Sequence, residues 1–312
     1  MKNNLLSAGM VSGIIFCGMS AAFDVFVGNI TQKLDPAIFI FYCFMIATGV
    51  FFTLGMINNG KSYLARTKKD RKLLSLVNLA VMLNWGGLIV SLKFLEPAVV
   101  GIASVACGPA LTIVISRYFL KDTSSPGKTE TVIAWIILAG VIVMLANSYF
   151  GKSGLTSTDY IGRTAGIVSV LFSAVGTVLY TFFSRGLSKK GWKAYEILGF
   201  RNILMLLVSF IYCIHQSIPL LLENDLLLIV VLLSVVGHII PVFLIQKSIS
   251  ELDPIHVSLL LLLLPVFTLA FQFTDSRIVV SWESISAVLA ITCLLIVLCV
   301  TKVQEKRRGS CK

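Results

Sequence analysis

The feature that most constrains this chain is a series of ten apolar segments separated by short connectors. A helix needs about 20 mostly apolar residues to cross the hydrocarbon core of a bilayer. Ten segments of the 312-residue sequence meet that requirement. They are Leu5–Phe26, Ala37–Asn58, Leu73–Phe94, Ala98–Phe119, Thr131–Phe150, Ala165–Phe183, Tyr195–Ile214, Leu226–Gln246, Ile255–Phe273 and Ser284–Val303. The sequence therefore predicts an all-α integral membrane protein with ten transmembrane helices.

Composition argues against a soluble protein. Hydrophobic residues make up 57% of the chain and charged residues only 13%, whereas about a quarter of the residues are charged in soluble domains. The net charge of +11 would suggest nucleic-acid binding in a soluble protein. Here the basic residues lie in short connectors between apolar segments, so we expect the lipid bilayer and no nucleic acid as a partner.

The distribution of basic residues predicts the orientation. If the N-terminus is cytoplasmic, 20 of the 26 Lys and Arg residues lie in cytoplasmic segments and five in outer ones, with Arg201 inside the seventh helix. Such a bias is typical of membrane proteins, and it predicts that both termini are cytoplasmic. The N-terminal run has no clear cleavage site, so we interpret it as an uncleaved first helix. Short loops and the lack of a soluble domain favour a bacterial inner membrane.

The chain repeats itself at an offset of 157 residues. At this offset Gly9–Ser12 aligns with Gly166–Ser169, and Glu96-Pro97 aligns with Asp253-Pro254. Each half then contains five helices. Because five is odd, the two halves would enter the membrane in opposite directions.

These halves, residues 1–153 and 154–312, are predicted to be inverted five-helix repeats. Inverted repeats are common in secondary transporters, which bind their solute near the midplane between the repeats.

The order of segments resembles the drug/metabolite transporter superfamily, in particular its ten-helix EamA-type members. In each half, a short connection leads from the third helix into a proline-bearing fourth helix. The first copy is Ser91–Pro97 followed by Gly108-Pro109, and the second is Ser248–Pro254 followed by Leu264-Pro265. The resemblance implies a carrier without a cofactor, with a central cavity lined by the first, third and fourth helices of each half. The fifth and tenth helices would lie at the periphery.

Members of this superfamily move amino acids, nucleotide sugars, quaternary amines and other metabolites. They work by proton coupling, exchange or facilitated diffusion, and the resemblance leaves these mechanisms open for this chain.

His238 is the sharpest candidate for a binding residue, because a polar group in hydrocarbon is costly. Pro241 removes a backbone donor and frees a carbonyl about one turn earlier, and Gly237 allows a helix or ligand to approach closely. An imidazole there can bind a solute or change its charge. The alternative is a structural histidine that is hydrogen-bonded to a neighbouring helix.

Asn84 and Trp85 lie near the middle of the third helix, which the repeat places opposite His238. An amide beside an indole can hydrogen-bond to and stack on a ligand. The alternative is that Asn84 joins two helices by bonding to a backbone.

Two stripes of small residues run along the first and sixth helices. The first contains Gly9, Gly13, Cys17, Ser20 and Asp24, and the second contains Gly166, Ser169, Ser173, Gly176 and Tyr180. Each stripe falls on one helix face, which favours close helix packing. A cavity wall with the Tyr180 hydroxyl as a polar group is the alternative.

Two charged residues lie within or near the predicted spans. Asp24 is placed near the outer boundary, where it could bind a cation or a coupling proton or could be solvated. Arg201 lies about two turns inside the seventh helix, where it could bind an anion or extend towards the cytoplasmic surface. His256 could gate the transport path or begin a helix.

Pro109 and Pro265 are predicted to break the fourth and ninth helices near mid-depth. Interrupted helices at matched positions indicate a binding site in transporters built from repeats. Together with Gly237 and Pro241, these prolines are candidates for helix breaks and gating.

Other classes of function are less consistent with the sequence. No paired acids, metal-ligand spacing or nucleophile motif supports an enzyme, and no charged ring or carbonyl filter motif supports a channel. The seven cysteines predict neither a disulfide nor a metal site. A receptor or structural protein stays open, and so does a homodimer. The mixed polar residues favour a zwitterion such as an amino acid, with S-adenosylmethionine or a similar cation as the alternative.

Overall fold

The computed structural model describes residues 8–118, 128–155, 158–251 and 260–310. We number its helices by their order in the chain. They are α1 (Ala8–Ile30), α2 (Pro36–Lys69), α3 (Arg71–Phe94), α4 (Pro97–Tyr118), α5 (Lys128–Tyr149), α6 (Tyr160–Lys189), α7 (Ala194–His215), α8 (Asn224–Glu251), α9 (Leu263–Thr274) and α10 (Trp282–Ser310).

The chain is a multi-pass integral membrane protein. Within the described ranges, nine helices, all except α9, are long and apolar enough to cross a membrane. Pro254, His256 and the start of the predicted ninth segment lie outside the described residues. The predictions of ten transmembrane helices and of inverted repeats therefore stay predictions.

The helices form two bundles. In the first bundle, α1 packs along α8 and α9, and in the second bundle α6 packs along α3 and α4. Helix α2 packs mainly on α7, and α5 packs on α10. Helices from residues 1–153 and residues 154–312 are therefore interleaved, since each bundle takes members from both halves.

Small residues set the distance between α3 and α6. A Cβ atom at Gly176 would overlap the backbone of Asn84, and one at Gly87 would overlap the backbone of Ser169. On α1, a Cβ atom at Gly13 would lie 2.7 Å from the Leu260 side chain. These parts of the two small-residue stripes serve close helix packing.

Two helices contain a π-helical turn near mid-length. The turns are Met82–Gly86 in α3 and Leu233–Ile239 in α8. In α8 the cause is Pro241, which cannot donate to the carbonyl of Gly237 four residues earlier. Turns of this kind occur frequently at functional sites, and the one in α3 was not predicted.

The fourth and ninth helices are also interrupted. In α4 the segments Pro97–Ala106 and Gly108–Tyr118 meet at Cys107, and α9 resumes at Leu263 after a turn at Leu262. Pro109 and Pro265 lie two and three residues beyond these interruptions, where the missing N–H of each proline weakens the preceding turn.

Three helices extend well beyond their predicted ends. Helix α1 continues to Ile30 instead of ending at Phe26, which places Asp24 inside the helix and not at its boundary. Helices α6 and α10 likewise continue beyond Phe183 and Val303, because polar residues near a helix end do not stop the helix by themselves. The apolar span of α2 ends at a break at Gly60 (φ 49°), close to its predicted end at Asn58, and a further helical stretch continues from there to Lys69.

Candidate functional site

A cavity of about 500 Å³ lies between the two bundles. Residues of α1, α3, α4, α6, α8 and α9 line it, and so does the first part of α7. All six predicted substrate-binding residues contribute to the lining, as do Gly237 and Pro241; the six are Asp24, Asn84, Trp85, Tyr180, Arg201 and His238. Pro109 and Pro265 lie outside the lining, next to Ser104, Val105 and Leu264, which belong to it.

His238 lies in an aromatic environment on the cavity wall. Its ring centroid is 4.6 Å from that of Trp85 and 4.8 Å from that of Phe44, both edge-on. The side chain is 1% exposed, and neither ring nitrogen has a hydrogen-bond partner in the described part of the chain. The alternative of an imidazole bonded to a neighbouring helix is therefore wrong for this structure. Leaving a buried polar group unpaired costs about 1–3 kcal/mol.

Gly237 permits this arrangement. A Cβ atom at Gly237 would overlap the ring of Phe23 on α1. The glycine thus accommodates a close helix neighbour, which was one of its two predicted roles.

Asn84 joins α3 to α6 through side chains. Its Oδ1 accepts hydrogen bonds from the hydroxyls of Ser173 (3.3 Å) and Thr177 (3.0 Å). The predicted alternative, a bond to backbone, is therefore replaced by bonds to two hydroxyls. The amide nitrogen of Asn84 donates to no group among the described residues, so it is available to a ligand in the cavity.

Arg201 is a buried cation without a carboxylate partner among the described residues. It is 5% exposed, so it does not extend to the membrane surface. Its Nη1 donates to the Tyr180 hydroxyl at 2.9 Å, and its Cζ lies 5.2 Å from the centroid of that ring. Nε and Nη2 have no partner in the described structure. Both nitrogens are buried, so two nitrogens of this guanidinium have N–H groups that no described protein group satisfies.

Arg201 occupies a break in α7. The helix is interrupted between Ala194–Phe200 and Ile203–His215. Asn78 of α3 bridges the break, because its Nδ2 donates to the Phe200 carbonyl (2.9 Å) and its Oδ1 accepts from the Leu204 amide (3.0 Å). The sequence analysis missed Asn78, although a lone amide in an apolar segment was a visible signal.

Asp24 lies on the α1 side of the cavity. It is 6% exposed and takes part in no hydrogen bond or ion pair with the described residues. Since the helix continues for six residues beyond it, Asp24 lies about 9 Å inside the helix end. The alternative of a carboxylate solvated at the membrane edge is therefore wrong for this conformation.

The second half of the chain matches a known family. Residues 164–301 match the family model described as the EamA-like transporter family. This match supports membership of the drug/metabolite transporter superfamily, of which the EamA family is part. Members of the EamA family are membrane transporters and not enzymes.

Two further comparisons concern the whole chain. A solved structure described as a crystal structure of a protein is similar over 97% of this chain and 98% of its own, with a TM-score of 0.56 and 16% identity. At that identity the likeness shows the fold alone. No curated protein sequence matches this one.

One end of the transporter is closed by a buried carboxylate. At this end, which we call the Glu96 end, α3 ends and α4 begins. Glu96 is 1% exposed and accepts from Gln272 Nε2 (2.7 Å), Ser284 Oγ (2.7 Å) and the Gly154 amide (2.8 Å). Gln272 also accepts from the Ala98 amide at 3.1 Å. These bonds join α4 of the second bundle to α9 of the first, beyond the lining of the cavity.

The opposite end, where α6 ends and α7 begins, is built differently; we call it the Glu196 end. Glu196 is fully buried and accepts from Asn59 Nδ2 (2.8 Å), Arg66 Nη1 (3.3 Å) and the Lys193 amide (2.6 Å). These bonds join α2 to α7 and lie to one side of the cavity. The cavity itself extends to Ser188, which is exposed at this end.

Asp70 makes a second link at the Glu196 end. It accepts hydrogen bonds from Lys190 and from the Trp192 indole (2.9 Å). These bonds hold the pKa of the Asp70 carboxyl below its ordinary value. They join the turn before α3 to the turn after α6, within the second bundle.

Proposed function

We propose that this membrane transporter is a secondary carrier that moves a small zwitterionic metabolite, such as an amino acid, by alternating access. The observation that carries this proposal is the composition of the central cavity. One buried carboxylate, Asp24, and one buried guanidinium, Arg201, line the same space without pairing to each other. A ligand with opposite charges at its two ends complements both.

The unpartnered groups give each residue a role. The Nε and Nη2 donors of Arg201 would bind a carboxylate in a bidentate way, while Tyr180 orients the guanidinium from its other side. Asp24 would accept from the ammonium group. Trp85 and His238 would contact the rest of the solute, and the Asn84 amide would donate to it.

The direction of opening supports alternating access. The cavity reaches an exposed residue at the Glu196 end and is closed at the Glu96 end. With the orientation predicted from loop charge, the Glu196 end faces the cytoplasm of a bacterium and both termini are cytoplasmic. The conformation is then inward-facing, which suits a carrier that loads its solute from the cytoplasm for export.

Coupling would involve the same cavity. A proton on Asp24 or His238 would compensate for the charge of a departing solute, whereas an exchanger would replace one zwitterion by another. The two mechanisms differ in their response to an imposed pH gradient.

A second solute class is favoured by the aromatic part of the wall. Trp85 and His238 line the cavity together with the Asp24 carboxylate. A nucleoside-containing cation such as S-adenosylmethionine would use both features. A non-transporting receptor is the alternative from another class, and saturable flux separates it from a carrier.

The test is uptake of labelled amino acids and nucleoside-type metabolites into proteoliposomes, with and without a pH gradient. Wild type is compared with His238→Ala and Arg201→Gln, and Arg185→Gln serves as the control because Arg185 is exposed on α6, outside the cavity lining. We expect saturable flux that both cavity variants lose and the control keeps. Equal flux in all four proteins would contradict the proposed site, and lack of flux for every solute with folded protein would contradict the proposed solute class.

A further inference from the structure

A second cavity, of about 370 Å³, lies between α3, α2 and α7, on the side of α3 that faces away from the central cavity. We call it the lateral groove. It shares no lining residue with the central cavity. Its walls are mostly apolar, and two of its residues, Val208 and Tyr212, are exposed on the outer surface of α7. The groove therefore opens towards the surrounding lipid.

The length of the lateral groove corresponds to one leaflet. Along α3 its lining runs from Met82 to Phe94, which is about 18 Å at the helical rise per residue. Half the hydrocarbon thickness of a bilayer is about 15 Å. The groove thus begins near the middle of the membrane and ends at one interface, the one at the Glu96 end.

Both charged residues of the groove lie at that interface. Asp35 is the N-cap of α2 and Lys93 is in the last turn of α3. Neither forms an ion pair among the described residues. One carboxylate oxygen of Asp35 accepts from the Ala37 amide at 2.8 Å, which leaves the other oxygen for a ligand. A positive and a negative group therefore line the same end of the lateral groove, at the depth of the lipid headgroups.

We propose that the lateral groove binds a phospholipid whose headgroup carries a phosphate and a primary ammonium. An acyl chain lies along Ile40, Val90 and Met205, the phosphate binds Lys93, and the ammonium donates to Asp35. A trimethylammonium headgroup has no N–H to donate. An anionic headgroup without an amine leaves Asp35 unpaired and repelled, because like charges at such a site oppose binding.

Gly86 offers a direct way to block the groove. It lines the groove, has ordinary helical backbone (φ −61°, ψ −47°), and a Cβ atom there would meet no atom within 4 Å. The Cβ atom of a leucine at this position would enter open space, so we expect the leucine side chain to occupy part of the groove. Gly49 of α2 is a matched control, since it is also open to a Cβ atom but lies outside the groove.

The experiment measures lipid that stays bound to purified full-length protein. Protein is taken from nanodiscs that contain equal amounts of phosphatidylethanolamine, phosphatidylcholine and phosphatidylglycerol, and bound lipid is counted by native mass spectrometry. The proteins compared are wild type, Gly86→Leu, Gly49→Leu, Lys93→Gln and Asp35→Asn. Asparagine retains the N-cap, so Asp35→Asn removes only the charge.

We expect wild type and Gly49→Leu to retain phosphatidylethanolamine above the other two lipids. Gly86→Leu should lose this retention, and Lys93→Gln should weaken it about tenfold, as expected for one charge-assisted hydrogen bond. Asp35→Asn should abolish the preference over phosphatidylglycerol. The proposal would be overturned if wild type retained the three lipids equally or preferred phosphatidylglycerol or phosphatidylcholine. It would also be overturned if Gly86→Leu, shown to be as thermally stable as wild type, retained the same lipids as wild type.

Discussion

The two ends of the transporter each bury a glutamate, but the two carboxylates join different helices. Glu96 joins α4 to α9, and thus the second bundle to the first, whereas Glu196 joins α2 to α7 beside the cavity. The bundles also pack on each other mainly through Gly87–Phe94 against α1 and through Pro97–Ala106 against Leu263–Phe271. The two buried carboxylates therefore differ in what they hold together: Glu96 has partners in both bundles, whereas the partners of Glu196 lie beside the cavity.

The helix interruptions lie between these two regions. Four helices are interrupted between the part near the Glu96 end and the part near the Glu196 end. The interruptions are at Met82–Gly86, Cys107, Leu233–Ile239 and Leu262. Weakened turns can absorb changes of backbone angle. If the two ends exchange between open and closed, as we propose, we expect the helices to bend at these turns, at the depth of the cavity.

The largest expected effect comes from removing the carboxylate that links the bundles. Glu96→Ala leaves the Gly154 amide and the Gln272 and Ser284 side chains without their acceptor, so we expect it to destabilise the protein by about 3 kcal/mol. Glu96→Gln keeps the shape and should cost less. Thermal unfolding of the purified proteins measures both effects. Equal stability of wild type and Glu96→Ala would contradict the role of Glu96 in joining the two bundles.

The next effect concerns the cavity between the ends. Arg201→Gln should weaken solute binding by roughly tenfold to a hundredfold, because it removes charge-assisted hydrogen bonds. Equilibrium binding of the solute found by the transport panel measures this. A matched change at exposed Arg185 should leave the affinity unchanged, and a similar loss in both variants would assign the effect to general charge and not to the site.

A smaller effect tests the two ends directly. Gln272→Ala removes a hydrogen bond between the bundles, and we expect it to raise the population open at the Glu96 end about tenfold. Asn59→Ala removes a bond of similar length at the Glu196 end but should not change that population. Spin-label distances between α4 and α9 measure the opening, and identical distance distributions in the two variants would show that the ends do not differ as described.

The smallest effect is a pH dependence of the stability of the fold, to which a carboxylate at each end contributes. The pKa of Asp70 is held below its ordinary value of 3.8 by hydrogen bonds from Lys190 and Trp192. Burial alone would raise the pKa of Asp275, but hydrogen bonds from Arg277 hold it below the ordinary value as well. A lowered pKa stabilises the fold above the ordinary value, and this stabilisation is lost as pH falls through the folded-state pKa.

Asp70→Asn should therefore cost about 1 kcal/mol at pH 7, and the difference from wild type should shrink only below pH 3.8. Unfolding of both proteins between pH 7 and pH 3 measures this. A difference that already disappears near pH 6 would contradict the assignment to Asp70. A transport pH dependence near pH 7 would therefore not come from Asp70 or Asp275, whose pKa values lie below 3.8.

Much of the helical architecture was visible in the sequence because membrane spans depend on composition over about 20 residues. Nine of the predicted segments correspond to helices of spanning length, and α9 is shorter in the described range. The helix ends were less predictable. Tight interfaces such as Gly176 against Asn84 depend on which helices become neighbours, and one sequence does not contain that information.

The candidate site was predicted as a set of polar residues in apolar segments, and the fold places six of them around one cavity. What the sequence did not reveal is how these residues are bonded. The pairing of Arg201 with Tyr180, the bridge made by Asn78 and the link from Glu96 to Gln272 all join helices far apart in the chain. Such pairs follow from tertiary packing and not from local pattern.

The most direct test of the account is the accessibility of the cavity from each end. Ser20 lines the cavity, and Ser20→Cys in a cysteine-free background can be labelled with a membrane-impermeant maleimide from either side of oriented vesicles. Gln32→Cys, exposed at the Glu96 end, confirms that the reagent reaches that side. We expect labelling of Ser20→Cys from the Glu196 end, slowed by bound solute unless Arg201→Gln is also present. Equally fast labelling from the Glu96 end, or labelling that the transported solute does not slow, would contradict this expectation.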